Sequence, residues 1–118
     1  MNIYNYTKYI NPQNRILLDE YKKAHQNEMW VTSIILSLTI IDNILSDEDN
    51  LDYVDGLDIN YFKNSKDFRW LRLRRNQILH YEGPKEGFLG NKDSINVLKK
   101  DSLRADNILK NCFLNLFK

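Results

Sequence analysis

The sequence predicts an all-α fold, an up-and-down bundle of four to five helices formed from residues 1–118 as a single domain. Three observations carry that prediction. Neither Pro nor Gly occurs between Pro12 and Gly56. Apolar residues recur at spacings of three and four in more than one segment, as on one face of a helix. No run of alternating apolar and polar residues, which would mark a strand, interrupts them.

Pro12 suits the first turn of a helix, and Asn11 before it is a candidate cap. Leu17, Tyr21 and Ala24 then share a face. Further on, Val31, Ile34, Leu38, Ile41 and Leu45 form an apolar stripe. The polar patch His25-Gln26-Asn27-Glu28 lies between the two sets, so residues 12–46 fit either one long helix or an antiparallel hairpin. The greasiest run, Trp30 to Ile41, ends at Asp42 and is shorter than the roughly 20 residues a membrane-spanning helix needs.

Ser46 to Asn60 contains six acidic residues, no basic ones and a Gly, the composition of an exposed connection. A helix is expected from about Lys66 to Glu82, stopped by Gly83-Pro84. After a loop through Gly87 and Gly90, the last helix is expected from about Asp93 to Phe117. Its seam is Ile95, Leu98, Ser102, Ala105, Leu109, Cys112 and Leu116.

Composition narrows the function classes. With 42% hydrophobic residues in 118, the chain can bury a core of its own, and disorder or low complexity is excluded. Seventeen Lys plus Arg against sixteen Asp plus Glu leave a charge of +1, so any recognition of anions must be local. The single Cys112 forms no internal disulfide and fits a reducing compartment. Met1 to Ile10 lacks the basic start and apolar stretch of an export signal, so the expectation is a cytoplasmic protein with no membrane partner. Two histidines and one cysteine give no basis for a zinc site. The acidic run Asp47 to Asp58 lacks the Gly and Glu placement of a calcium loop. No glycine-rich phosphate loop is present, so neither a metal nor a cofactor is expected.

The sharpest local anomaly is basic. Of six Arg, four fall within seven residues: Arg69, Arg72, Arg74 and Arg75. Between Tyr61 and Arg75, six basic residues meet one acidic residue. Such a face attracts phosphates through charge and the planar guanidinium fork, unless the acidic run 47–58 neutralises it. Arg69, Arg72 and Arg74 are therefore candidate RNA or phosphate contacts.

Projected at about 100° per residue from Leu71, the residues Ile78, Phe68 and Leu79 form an apolar stripe centred near about 30°, and Arg75 falls inside it at about 40°. An unpaired guanidinium there is costly, so the position implies an internal ion pair, with Asp19, Glu20 or Asp42 as partner, or a cleft open to an anion. A second, partly aromatic face carries Leu73, Asn76 and His80, with Trp70 and Tyr81 beside it. A helix with two apolar faces packs against two things, and in a small bundle the second is often another protomer. Asn76 and His80 are four residues apart, so an amide could orient the imidazole.

Arg75-Asn76 followed by His80, with four residues between Arg and His, resembles the R-X4-6-H signature of HEPN domains (higher eukaryotes and prokaryotes nucleotide-binding), including their polar residue after the Arg. The position late in a small helical chain, before one last helix, is similar too. The resemblance covers most of the chain at the level of fold and Arg75 to Tyr81 at the level of motif. It implies a bundle that dimerises, bringing Arg and His of two protomers into one composite cleft, and many members of the family are metal-independent ribonucleases. By that analogy Arg75 holds the scissile phosphate, His80 moves the proton of the ribose 2′-hydroxyl or of the leaving oxygen, and Asn76 orients. The expected products are a 2′,3′-cyclic phosphate and a 5′-hydroxyl, in a toxin or phage-defence effector with RNA and a second copy as partners.

An antitoxin or defence partner protein fits the same resemblance. However, toxins of the family that pair with small nucleotidyltransferase antitoxins commonly carry Tyr two positions after the His. Here Tyr81 follows directly and Glu82 is next. Tyr81 is expected at a dimer face, and Glu82 is within reach of the arginines. Two further readings stand beside the ribonuclease. One is a non-catalytic nucleotide- or RNA-binding or protein-interaction module that uses the same residues as an anion site. The other is purely structural, with Arg75 in an ion-pair network whose loss costs on the order of 3 to 5 kcal/mol.

Overall fold

The computed structural model describes residues 2–47, 56–81 and 83–117. Among them every regular element is helical, 78% helix without a strand, as the sequence predicts. A short 3₁₀ segment, Ile3–Tyr9, precedes α1 (Pro12–Gln26), α2 (Trp30–Ser46), α3 (Gly56–Lys63), α4 (Lys66–Leu79) and α5 (Ser94–Leu116).

The start of α1 follows the expected chemistry. Asn11 Oδ1 accepts from the Asn14 backbone N–H at 2.8 Å, with Pro12 in the first turn. The open question over residues 12–46 resolves as a hairpin. The chain leaves α1 at Gln26 and reverses through Asn27, Glu28 and Met29, where Glu28 takes a left-handed φ of 57°. Asn27 holds that turn by donating its side-chain amide to the Lys23 carbonyl at 2.8 Å.

Helix α2 is the central element, packed against α1, α4 and α5. The expected stripe captures only part of its buried surface. Ile34, Leu38, Ile41 and Leu45 are buried, and so are Ser33, Ser37, Ile40 and Ile44. The two serines are accommodated because each donates its hydroxyl to a carbonyl of the preceding turn, Met29 and Ile34. The α5 seam is buried at Ser102, Ala105, Leu109, Cys112 and Leu116, whereas Ile95 at its start stays exposed.

Three boundaries differ from the sequence expectation. The 3₁₀ segment lies where the sequence predicts no element; its three-residue spacing of Ile3, Tyr6 and Tyr9 puts side chains one above another, and Tyr6 and Tyr9 pack on Phe113 of α5 and on Phe117, which caps it. Residues 56–60, expected as part of the acidic connection, are the first turns of α3. Helix α4 ends at Leu79 rather than near Glu82, with His80 as its cap in an extended conformation. The remainder of the acidic run, 48–55, and Glu82 lie outside the described residues.

Candidate phosphate site on helix α4

Ser65 caps α4, its hydroxyl accepting the Phe68 backbone N–H at 3.2 Å. Phe68 and Leu71 turn into the core, but the buried face is rotated from the expected stripe. Leu79 is 54% exposed, while Arg74 is only 5% exposed. The rotation has an electrostatic cause. The Arg74 Nε donates to Asp101 Oδ2 at 2.9 Å, Nη1 to Gln77 Oε1 at 3.2 Å and Nη2 to the Glu86 carbonyl, with the guanidinium above the Phe88 ring. These bonds satisfy the charge, so the long stem can fill the interior. Arg74 thus fastens α4 to α5 and to the loop after His80, and it is not an exposed phosphate contact as the sequence suggested.

Arg75 is the half-buried neighbour. Its partner is Asp42 of α2, one of the three carboxylates the sequence offered; Nη1 donates to Oδ2 at 3.1 Å. The side chain is 21% exposed, and its buried Nε has no partner. Asp42 also faces Arg72 at 4.0 Å, so one carboxylate of α2 serves two cations of α4. Arg69 and Arg72 are exposed, as expected for surface cations, and the Arg72 guanidinium lies 5.6 Å from the centre of the Phe68 ring.

Asn76 and His80 are both exposed. The contact between them is through the backbone, the His80 N–H donating to the Asn76 carbonyl at 2.9 Å; their side chains do not bond. That bond ties the His80 backbone N–H to the last turn, while the residue's own backbone is extended. In an ideal helix, five residues at about 100° each would place His80 roughly 140° round the axis from Arg75. Arg75 turns to Asp42 of α2, whereas the His80 side chain is exposed at the end of the helix. On the same outer face, Leu73 is 56% and Tyr81 88% exposed. Trp70, expected with them, is partly covered because the Arg104 guanidinium sits 4.0 Å above its ring.

Two contributors were not singled out from the sequence. Lys63, at the end of α3, and Ser46, at the end of α2, join Asp42, Arg69 and Arg72 around a cleft of roughly 310 Å³ whose wall is Phe68. Lys63 belongs to the basic run, but nothing in one dimension brings it to the end of α2. Among the described residues no group of three or more His, Cys, Asp or Glu is placed to hold a metal ion, and no helix is long and apolar enough to cross a membrane. The chain matches no protein-family model, no curated protein and no solved structure.

Proposed function

We propose that this chain is a HEPN-like, metal-independent endoribonuclease acting as a homodimer, as a toxin or phage-defence effector in the cytoplasm. The observation that carries the reading is the separation of a half-buried Arg75, turned to Asp42 of α2, from an exposed His80 that caps the end of α4. A guanidinium held against α2 and an imidazole exposed at the helix end are poorly placed to grip one phosphate together. Two copies joined through the outer face can supply the pair, and that face is apolar enough to be covered, with Leu73 and Tyr81 exposed.

The chemistry needs few groups. An imidazole exchanges its proton near neutral pH, whereas a guanidinium stays charged throughout. In the composite site an imidazole nitrogen of His80 takes the 2′-hydroxyl proton, and the ribose O2′ forms a bond to phosphorus. The bond from phosphorus to O5′ breaks, and O5′ leaves as the 5′-hydroxyl with a proton given by a protonated His80 imidazole of the composite site. Arg75 neutralises charge growing on the non-bridging oxygens. Held through Nη1 by Asp42, it is anchored on one side and need not be ordered by the substrate.

The same ion pair favours a second reading, a non-catalytic nucleotide- or RNA-binding or protein-interaction module, because Asp42 already takes part of the charge a phosphate would need. One experiment decides between them. Wild type, Arg75→Ala and His80→Ala are incubated with labelled single-stranded RNA in chelator, and the ends are analysed. Cleavage to cyclic phosphate ends by wild type alone is the expected result. Tight binding without turnover supports the module, and folded wild type that neither cuts nor binds refutes both.

A further inference from the structure

We propose that the cleft between α2, α3 and α4 is a second phosphate subsite, which takes a backbone phosphate of the RNA strand next to the one held at Arg75. The inference rests on the ribonuclease reading for its substrate, but the site itself stands on separate residues. Lys63, Arg69 and Arg72 converge from two helices on one concavity, and the Ser46 hydroxyl adds a neutral donor at its rim. Among the described lining residues the only anion is Asp42, and its carboxylate is shared with Arg75 at 3.1 Å. Among the described lining residues, three cations thus stand against part of one carboxylate, in a chain whose total charge is +1. Like charges gathered in a concavity repel one another and focus the field on whatever enters, so a phosphate is the complementary occupant.

The cleft also meets the Arg75 side of the proposed active site at Asp42, the residue common to both. Asp42 bonds Arg75 and faces Arg72 at 4.0 Å, so the two guanidinia lie on either side of one carboxylate. A strand whose scissile phosphate rests on Arg75 then passes over Arg72 with its next phosphate. Arg72 is partly ordered for that role by its place above Phe68. Its neighbour Arg69 and the facing Lys63 are exposed and donate from the two walls. Lysine and arginine contacts of this kind read no sequence; they add affinity that falls with salt.

The test compares wild type with the double variant Lys63→Ala/Arg69→Ala, and with Lys99→Ala/Lys100→Ala as a control that removes the same charge from α5. Binding of a short single-stranded DNA, which has no 2′-hydroxyl to react, is measured against salt concentration. The cleft variant is expected to melt with wild type and to lose roughly 0.7 to 1.4 from the salt slope, the loss of one or two phosphate contacts on a single strand. The α5 control is expected to keep the wild-type slope. With cleavable RNA, the cleft variant raises KM and leaves kcat within about twofold. Equal losses in both double variants, or none in either, overturn the subsite. Displacement of the strand by inorganic phosphate at comparable concentration also overturns it, since the cleft would then serve a free anion. The two readings fail separately. Binding that depends on Lys63 and Arg69 without cyclic phosphate ends removes the ribonuclease and keeps the cleft. Cleavage whose KM ignores the double variant does the reverse.

Discussion

Arg74 and Arg75 are adjacent in the chain, yet truncating each to alanine should have very different consequences. Arg74 is 5% exposed and bonds Asp101, Gln77 and the Glu86 carbonyl. Breaking a buried ion pair by removing one partner costs about 3–5 kcal/mol, because the other charge is left buried and unpaired. The Asp101 side chain is 21% exposed, so water reaches part of the orphaned carboxylate and the low end, about 3 kcal/mol, applies. For Arg75→Ala the partner Asp42 is 31% exposed and retains Arg72 at 4.0 Å, so the cost falls to about 1 kcal/mol. At about 4 °C per kcal/mol for a domain of this size, the expected falls in Tm are roughly 12 °C and 4 °C. Urea titration with an unchanged m-value would show that both effects are on stability. A double-mutant cycle with Asp101→Ala should return a coupling of more than about 1 kcal/mol for Arg74 and none for Arg75. If Arg74→Ala unfolds within about 1 kcal/mol of wild type, or Arg75→Ala costs as much as Arg74→Ala, the division between a structural and a functional arginine is wrong.

Three further outcomes follow from the geometry. Gly87→Ala should destabilise by about 1–3 kcal/mol in thermal melts, since φ there is +89° and a Cβ would lie 2.9 Å from Leu98 Cδ2 and 3.0 Å from Arg74 Nη2; a wild-type Tm would show that the loop is not packed this way. Burial pushes the Tyr4 phenol up to about 12, burial and the hydrogen bond to Asp106 push Tyr21 up further, and burial pushes the Cys112 thiol up. The folded chain therefore holds these protons more tightly than the unfolded chain, so stability is level below the ordinary values of 9.0 for the thiol and 10.0 for the phenols and falls as pH rises beyond them. Denaturation series at alkaline pH check this, with a shallower decline expected for Tyr21→Phe and a flat profile counting against it. Finally, for the proposed dimer, Leu73→Glu on the exposed face of α4 should shift the mass in light scattering from dimer to monomer and lower Tm only by the stabilisation that association supplied, leaving a Tm independent of protein concentration; a wild type that is dimeric and a variant of unaltered mass would place the interface elsewhere.

The sequence by itself determined the starts and faces of α1, α2 and α5 and the existence of α4, because those signals are local, whereas the 3₁₀ segment, the first turns of α3 and the break between α1 and α2 were not determined. Asn11 and Pro12 start α1 through a bond three residues away, and the spacing of Ile34, Leu38, Ile41 and Leu45 follows from the turn of a single helix. It also singled out Arg75, placing it on the apolar stripe and naming Asp42 among its three possible partners. What it did not determine depends on contacts between elements distant in the chain. Arg74 looked like one more surface cation until Asp101, 27 residues on, and the Glu86 carbonyl gave its charge a buried home. That pairing rotated α4 so that Leu79 faces out and a charged residue faces in. Periodicity assigns faces by hydrophobicity alone, and it fails where a guanidinium is satisfied by partners that only the packing brings near. The cleft joining Lys63 to Ser46 and Asp42 has the same origin, since residues of α2, α3 and α4 acquire a common wall only when the three helices pack.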